Sequence, residues 1–223
     1  MHQATISADI IRSTSLGKDE VLLMQKHLQA YLDIVESKFS GCWGRILRGD
    51  CIECVVPKAN LALRLALMLK CHVKAYNANA DRYVRAAFGP RFFFNRFGVR
   101  IAIGIGKLRT SDRENGVIDG SAIYSSGRTL DSMSRRMRTN IVVAGAEREK
   151  TLLVAQTIAT LCDMILTRAT SKQCEVLFMR MQDMREAEIA MRLNISQVAV
   201  NSHLRRAGWY ALEQAIMTFE EII

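Results

Sequence analysis

The segment 184–206 constrains the fold of this chain more than any other stretch. Ile189, Ala190 and Leu193 have the spacing of a short amphipathic helix, with a small residue where a second helix can cross closely. Asn194 follows, and this residue type tolerates the left-handed backbone of a tight turn. The pattern therefore predicts a helix that ends in a tight turn.

The residues after this turn predict a second helix. Ser196 is a favoured N-cap residue, and Val200 and Leu204 are apolar positions four residues apart. We expect Ile195 to fill the core between the two helices, and a supporting helix to cover residues 172–181. This combination is typical of a helix-turn-helix.

The exposed side of the second helix carries groups that can hydrogen-bond base edges or phosphates in the major groove of double-stranded DNA. These groups are Gln197, Asn201, Ser202, Arg205 and Arg206. Two such helices one DNA turn apart require a dimer, so we predict a homodimer. The alternative is a helical hairpin that only packs, for instance as a dimerisation element.

The net charge of +9 is unevenly distributed along the 223 residues. Residues 1–170 hold 25 Lys and Arg against 15 Asp and Glu, whereas residues 171–223 hold 6 against 7. A basic excess favours polyanionic partners. Because the excess belongs to the larger part, we expect basic residues of that part to help hold the DNA backbone.

Strand and helix patterns alternate over residues 1–146. The clearest strand, 99–106, has branched residues on one face and small residues on the other, where a helix or a ligand can approach closely. The predicted order is β-α-β-β-α-β-α-β, which is the ferredoxin-like βαββαβ arrangement with one strand added. We predict an α+β fold at 1–146 and a helical domain at 147–223 that contains a connecting helix and the helix-turn-helix.

Two aspartates are candidates for a metal site in the α+β part. Asp9 lies near the end of the first strand and Asp50 lies at the tip of the following hairpin. Neighbouring carboxylates there would hold a divalent metal and a triphosphate, and Arg128, on a later helix, would contact phosphate oxygens. The alternative is that Asp9 and Asp50 are a turn residue and a cap, with Arg128 as their surface ion pair.

A set of short motifs is spread over nearly the whole length of the chain. They are Ala8–Ile11, Arg48–Asp50, Arg100–Gly106, Asp119–Tyr124 with Arg128, Ser196–Gln197, and Ala207–Tyr210 with Leu212 and Ala215–Ile216. In these motifs and their order the chain resembles the SatD family. The N-terminal half of that family is similar to a class III nucleotidyl cyclase catalytic domain. The resemblance implies that Asp9 and Asp50 are the two metal carboxylates, for Mg²⁺ or Mn²⁺ with a nucleoside triphosphate. It also implies that Arg128 is the transition-state arginine.

Three functions follow from these patterns. The first is a DNA-binding regulatory protein in which a cyclase-like domain senses a ligand or dimerises. The alternative is a metal-dependent nucleotidyl cyclase or nucleotide-binding enzyme, and whether the chain is an enzyme stays open at this point. The second alternative is a structural or interaction protein that uses neither site.

Two further expectations concern location and an unusual segment. No apolar run approaches the ~20 residues that span a bilayer, and charged residues interrupt the early apolar stretch, so we expect a cytoplasmic protein without a membrane partner. The stretch 77–98 interleaves arginines with aromatic residues. It is interpreted as an aromatic clamp packed on the sheet or on a second subunit, with base stacking as the alternative.

Overall fold

The structure is a computed structural model that describes residues 2–11, 18–47, 49–76, 96, 98–133, 139–145 and 148–223. The strands are β1 (Gln3–Ile10), β2 (Trp43–Leu47), β3 (Cys51–Val56), β4 (Val99–Gly106), β5 (Leu108–Asp112), β6 (Val117–Gly120) and β7 (Ile141–Gly145). The helices are α1 (Lys18–Lys38), α2 (Ala62–Ala75), α3 (Ser121–Ser132), α4 (Glu149–Arg168), α5 (Ser171–Arg180), α6 (Glu186–Leu193), α7 (Gln197–Arg206) and α8 (Trp209–Ile222).

Five strands form one sheet in the order β2-β3-β1-β4-β7. β1 lies antiparallel between β3 and β4, β2 is antiparallel to β3, and β7 is parallel to β4. The first four strands in this order, with α1 and α2 as the crossovers, are the ferredoxin-like βαββαβ arrangement, and β7 is the added strand. The predicted α+β class and strand order are confirmed.

The small-residue face of β4 lies against helix α3. A Cβ atom on Gly104 would approach the Ala122 carbonyl oxygen to 2.2 Å and the Ser126 nitrogen to 2.6 Å. The Ser126 hydroxyl in turn lies 2.8 Å from the hydroxyls of Thr5 and Ser7 on β1. The sequence indicated that either a helix or a ligand approaches this face of β4, and the structure shows a helix there.

Helix α2 lies between the sheet and the C-terminal helices, so every residue of α2 except Arg64 and Ala75 is buried. Two buried lysines of this helix have specific partners. Lys70 Nζ lies 2.5 Å from Asp163 Oδ1 of α4, and Lys74 Nζ donates to the carbonyl oxygen of Leu166 at 2.5 Å, near the C-terminal end of α4. These contacts connect α2 to α4 through fully buried charges.

The free edge of β7 is covered by a side chain of α4. Gln156 accepts a hydrogen bond from the Val143 backbone at 2.8 Å and donates to the Ile141 carbonyl at 3.2 Å. A sheet edge with its backbone groups paired in this way is protected from pairing with another chain. The added strand is therefore integrated into the fold on both sides.

Two elements of the fold were not predicted from the sequence, the hairpin β5–β6 and helix α8. The described part of helix α3 ends at Ser132, followed by Met133 in an extended conformation.

Among the described residues, α4 is long and apolar enough to span a membrane by length and composition alone. This helix also carries the buried Asp163 that pairs with α2.

Candidate nucleic-acid interface and acidic pair

The turn between α6 and α7 has the geometry that a helix-turn-helix needs. Asn194 adopts the left-handed conformation, with φ 53° and ψ 47°. The chain reverses there, and the Ile195 N–H donates to the Ala190 carbonyl at 3.0 Å, which satisfies one of the last carbonyls of α6. The prediction for Asn194 is confirmed.

Helix α7 begins and packs as its sequence predicted. The Ser196 hydroxyl accepts a hydrogen bond from the Ala199 N–H at 3.1 Å and so caps the helix. Val200 and Leu204 are buried, as is Ile189 on α6. The two helices therefore cross through an apolar contact that holds α7 in a fixed orientation.

The prediction that Ile195 fills this core is wrong. Its side chain is 36% exposed. The space between the helices is already filled by Ile189, Val200 and Leu204, all of which are buried. Only the backbone of Ile195 takes part in closing the turn.

We use the term recognition face for the polar surface of α7 formed by Gln197, Asn201, Ser202, Arg205 and Arg206. Four of these residues are exposed and Ser202 is half-buried. Asn201 Nδ2 makes one long hydrogen bond of 3.4 Å to Glu186 Oε1 of α6. The donors and acceptors of this surface are therefore directed at solvent, as a surface that contacts base edges must be before DNA binds.

The helix-turn-helix is held to the rest of the molecule by a support on either side. Helix α5 starts with a capping box between Thr170 and Gln173. Arg64 of α2 pairs with Asp183, just before α6, at 3.1 Å and with Glu220 of α8 at 2.8 Å. These ion pairs connect both ends of the helix-turn-helix region to the buried helix α2.

The second candidate site lies at the end of the sheet, and we call Asp9 and Asp50 the acidic pair. Asp9 is in register with Cys51 on β3, and Asp50 lies in the β2–β3 turn, where Gly49 has a φ of +84°. One carboxylate oxygen of each aspartate and the Cys51 sulfur lie within 4.8 Å of one another. The structure therefore brings the two predicted aspartates together.

Arg100 is a partner of the acidic pair that the sequence reasoning missed. Arg100 lies on β4 in register with Asp9 of β1 and donates a hydrogen bond to the Asp9 carboxylate. Its other Nη donates to the Met133 carbonyl at 2.9 Å. A charged residue at the end of an otherwise apolar strand was the available signal. Two carboxylates suit a divalent cation, but an ion bound by Asp9 would compete with this guanidinium.

Arg128 lies on a different side of α3 from the residue that contacts β1. Ser126 faces β1, and two residues further a helix has turned by about 200°, so Arg128 is exposed. Its guanidinium carbon lies 6.0 Å from the centre of the Tyr124 ring. Tyr124 donates to Asp119, which also pairs with Arg109 at 2.8 Å. The pKa of Asp119 is lowered mainly by the hydrogen bond from Tyr124 and, to a smaller extent, by the hydrogen bond from Arg109.

Several predicted features fall outside the described residues. They are Arg48 of the Arg48–Asp50 motif and nearly all of the aromatic and basic stretch 77–98. Within the described chain, a surface groove lies between the end of α4 and the α7–α8 turn, with Met164, Arg168 and Arg206 among its lining residues. Neither member of the acidic pair lines this groove.

Comparison with known proteins identifies the C-terminal helices. Residues 168–207, which span α5, α6 and α7, match the family model GerE, described as bacterial regulatory proteins of the luxR family. These residues form a DNA-binding domain. The match and the turn geometry agree on the same two helices, so the chain carries a helix-turn-helix of the type found in bacterial regulatory proteins, and an α+β domain precedes it. No curated protein sequence matches the chain.

Solved structures similar to this chain include nucleotidyl cyclases. Two structures of a bacterial light-regulated adenylyl cyclase are each 16% identical to it, with TM-scores of 0.44 and 0.42. A guanylyl cyclase is 14% identical, with a TM-score of 0.42. All three alignments cover 64% of this chain, and they cover 42%, 74% and 74% of the respective cyclase chains. The chain thus spans less than half of the first of these structures.

Proposed function

We propose that this protein binds double-stranded DNA as a homodimer and inserts α7 of each subunit into the major groove. The observation that carries the proposal is an exposed polar recognition face on a helix whose orientation is fixed by the Asn194 turn and the Ser196 cap. In this arrangement Gln197, Asn201 and Ser202 contact base edges, and the arginines contact bases or phosphates. Two copies would place their helices about one DNA turn apart.

An exposed apolar stripe on α4 supports the choice of a homodimer. Val154, Thr157, Leu161 and Met164 follow each other at intervals of three, four and three residues, and all four are exposed and all but Thr157 apolar. This is the spacing of helices that pair along a common seam. A second copy of the same helix would cover the stripe on both subunits at once, as a two-fold interface does.

The dimer is tested by the mass of the protein in solution. Leu161 is 52% exposed in the middle of the stripe, so Leu161→Glu would place a charge in the proposed seam and should give a monomer by analytical ultracentrifugation. Leu22→Glu is the matched control, because Leu22 is 58% exposed on α1. Equal masses for the two variants would contradict this surface.

DNA binding is tested with a pool of random duplexes at several salt concentrations. Arg205→Ala should weaken binding by about 1–3 kcal/mol and reduce the salt dependence, because one cationic contact is lost. Arg113→Ala is the control, since it removes the same charge at an exposed residue next to β5. If both variants bind as tightly as the wild type, α7 does not contact DNA.

The acidic pair supports a second candidate function, nucleotide binding with or without cyclase activity. The supporting observation is that oxygens of Asp9 and Asp50 and the Cys51 sulfur lie within 4.8 Å of one another. Asp9 and Asp50 would hold Mg²⁺ or Mn²⁺, which neutralises a bound triphosphate and stabilises charge that develops on it. Arg128 would then have to reach the phosphates from its exposed position on α3.

The second function is tested by thermal unfolding with nucleoside triphosphates and Mn²⁺. A ligand at 100 times its dissociation constant adds about 2.7 kcal/mol of stability. Asp50→Ala should abolish that gain, whereas Asp33→Ala, which removes an exposed carboxylate of α1, should preserve it. Turnover in the same samples separates an enzyme from a sensor, and a structural or interaction protein would respond in neither experiment. We place all of these activities in the cytoplasm.

A further inference from the structure

Val198 is the most exposed large apolar side chain of the described chain, with 80% of its surface accessible. A single exposed apolar residue is ordinary on a protein surface. The position of Val198 is what makes it informative, because it lies in the first turn of α7. In a helix-turn-helix the N-terminal residues of the second helix are the ones that contact base edges.

Val198 shares a helix face with residues of the recognition face. Asn201, Ser202 and Arg205 follow it by three, four and seven residues, which is the spacing of one face of a helix. Val200 and Leu204 occupy the opposite, buried face. Val198 therefore adds to the recognition face, in the first turn of α7, a side chain that forms no hydrogen bonds.

The chemistry of the major groove offers one apolar group for such a side chain. Each base pair presents hydrogen-bond donors and acceptors there, and thymine in addition presents its 5-methyl group. A valine placed against a donor or acceptor would remove water from that group without replacing its hydrogen bond. Placed against a 5-methyl group, the valine removes only apolar surface from water.

We propose that Val198 is a specificity-determining residue that contacts the 5-methyl group of a pyrimidine, which is thymine in unmodified DNA. This inference rests on the DNA-binding function proposed above and specifies which base that site selects. An apolar protein partner is the weaker alternative, because no other exposed residue of α7 is a large apolar one. The other exposed residues of α7, which are Gln197, Asn201, Arg205 and Arg206, are polar or basic instead, as a surface for DNA requires.

The test starts from duplexes selected by the wild-type protein from a random pool. Each thymine of the selected site is replaced in turn by deoxyuridine, which removes only the methyl group. One replacement should weaken binding about 4-fold, the effect of losing one buried methyl-sized group. 5-Methylcytosine paired with guanine at that position separates methyl recognition from the rest of the base pair, and it should bind more tightly than unmodified cytosine there.

Val198→Ala connects the methyl effect to the protein. In this variant the sensitive thymine and its deoxyuridine replacement should bind equally, whereas Met217→Ala should retain the about 4-fold difference. Met217 is also an exposed apolar residue, 57% accessible, but it lies on α8 outside the helix-turn-helix. The Val198 position is exposed, and alanine favours helix, so the variant should fold.

The possible outcomes separate the two proposals. If no duplex is selected at all, both the DNA-binding function and the role of Val198 are overturned. If a site is selected but no thymine depends on its methyl group, only the role of Val198 is overturned. The same conclusion follows if the methyl effect persists unchanged in Val198→Ala.

Discussion

The recognition face and the acidic pair reach their geometry in opposite ways. The recognition face lies on one helix, and the turn, the cap and the buried contacts that orient it all fall within residues 184–206. The acidic pair combines a strand end and a hairpin turn about forty residues apart. Arg100, from a third strand, completes it. The recognition face is built from residues that are close in sequence, and it is exposed. The acidic pair is built from residues that are distant in sequence, and Arg100 neutralises part of its negative charge.

This difference decides what each site needs before it can bind its ligand. Exposed donors on a helix need only an orientation to contact DNA, and the helix-turn-helix supplies it. Two converging carboxylates need a cation, and in this chain the Arg100 guanidinium already pairs with the Asp9 carboxylate. The comparison can be tested first with a substitution in the core that joins the sheet to the helix-turn-helix, and then with substitutions elsewhere in the molecule.

The largest effect is expected from the buried ion pair between the two regions. Lys70→Met leaves the Asp163 carboxylate buried without its cation, so we expect a loss of about 3–5 kcal/mol in the free energy of unfolding. Urea unfolding measures it, with Trp43 on β2 and Trp209 on α8 as separate fluorescence probes.

Single-tryptophan variants, Trp43→Phe and Trp209→Phe, assign the two signals. Both probes should shift to lower urea by the same amount, because α2 packs against the sheet and against α5 and α8. Two separated transitions, with only the Trp43 signal shifted, would show that the helix-turn-helix is an independent folding unit.

The next largest effect concerns the contact of α3 with the sheet. A Cβ at Gly104 would meet backbone atoms of α3 at 2.2 and 2.6 Å. Gly104→Ala should therefore lower the free energy of unfolding by about 1–3 kcal/mol, as other overpacked sites do. Chemical denaturation provides the measurement.

Gly127→Ala is the matched control for this substitution. No atom lies within 4 Å of a Cβ at Gly127, so alanine should stabilise the helix by about 0.5–1 kcal/mol. Neither variant should change the DNA affinity of the folded protein, since Gly104 lies on β4 and Gly127 on α3, both outside the helix-turn-helix. A Gly104→Ala protein as stable as the wild type would show that α3 can move away from β4.

A pH effect is expected where α1, α2 and α5 meet. The rings of His27 and His72 stack with centres 3.7 Å apart, and Phe178 of α5 packs on His72. Burial, together with the neighbouring His27, lowers the pKa of His72 to about 3. Burial also lowers the pKa of His27, against the effect of its hydrogen bond to the His72 carbonyl.

Because these histidines are held neutral, the unfolded chain binds more protons than the folded chain below pH 6.5. The contribution of the neutral histidines to the free energy of unfolding is therefore fully present above that pH. It falls as the pH decreases toward 3, by at most about 1.4 kcal/mol per pH unit for His72. Denaturation midpoints at pH 7.5 and 5.5 measure the slope. His72→Phe should reduce it, and identical slopes in both proteins would contradict the assignment.

The smallest effect on stability, and the sharpest test of the acidic pair, comes from Arg100. Its ion pair with Asp9 is partly exposed, so Arg100→Gln should cost about 0–1 kcal/mol. Without the guanidinium, the two carboxylates should bind Mn²⁺ more tightly, which isothermal titration calorimetry measures. Adding Asp9→Asn should remove the gain. Equal Mn²⁺ binding by wild type and Arg100→Gln would show that Arg100 does not compete.

The local part of the molecule was predictable because short-range rules decide it. Asn194 and Ser196 were assigned from the conformations and hydrogen bonds their side chains permit, and both assignments are confirmed. Ile195 shows the limit of such rules. Its apolar character indicated burial, but three other side chains already fill the space between the helices, and that depends on how the helices pack.

The sequence alone determined the fold class, the order of the main strands and helices along the chain, and the helix-turn-helix, because alternation, helical spacing and capping are encoded within each segment. Only the tertiary structure decided that α3 covers the glycines of β4, that Arg100 pairs with Asp9, and that α2 is buried on all sides. Those contacts join residues that lie far apart in the chain. Their existence depends on register and packing, which no single segment specifies.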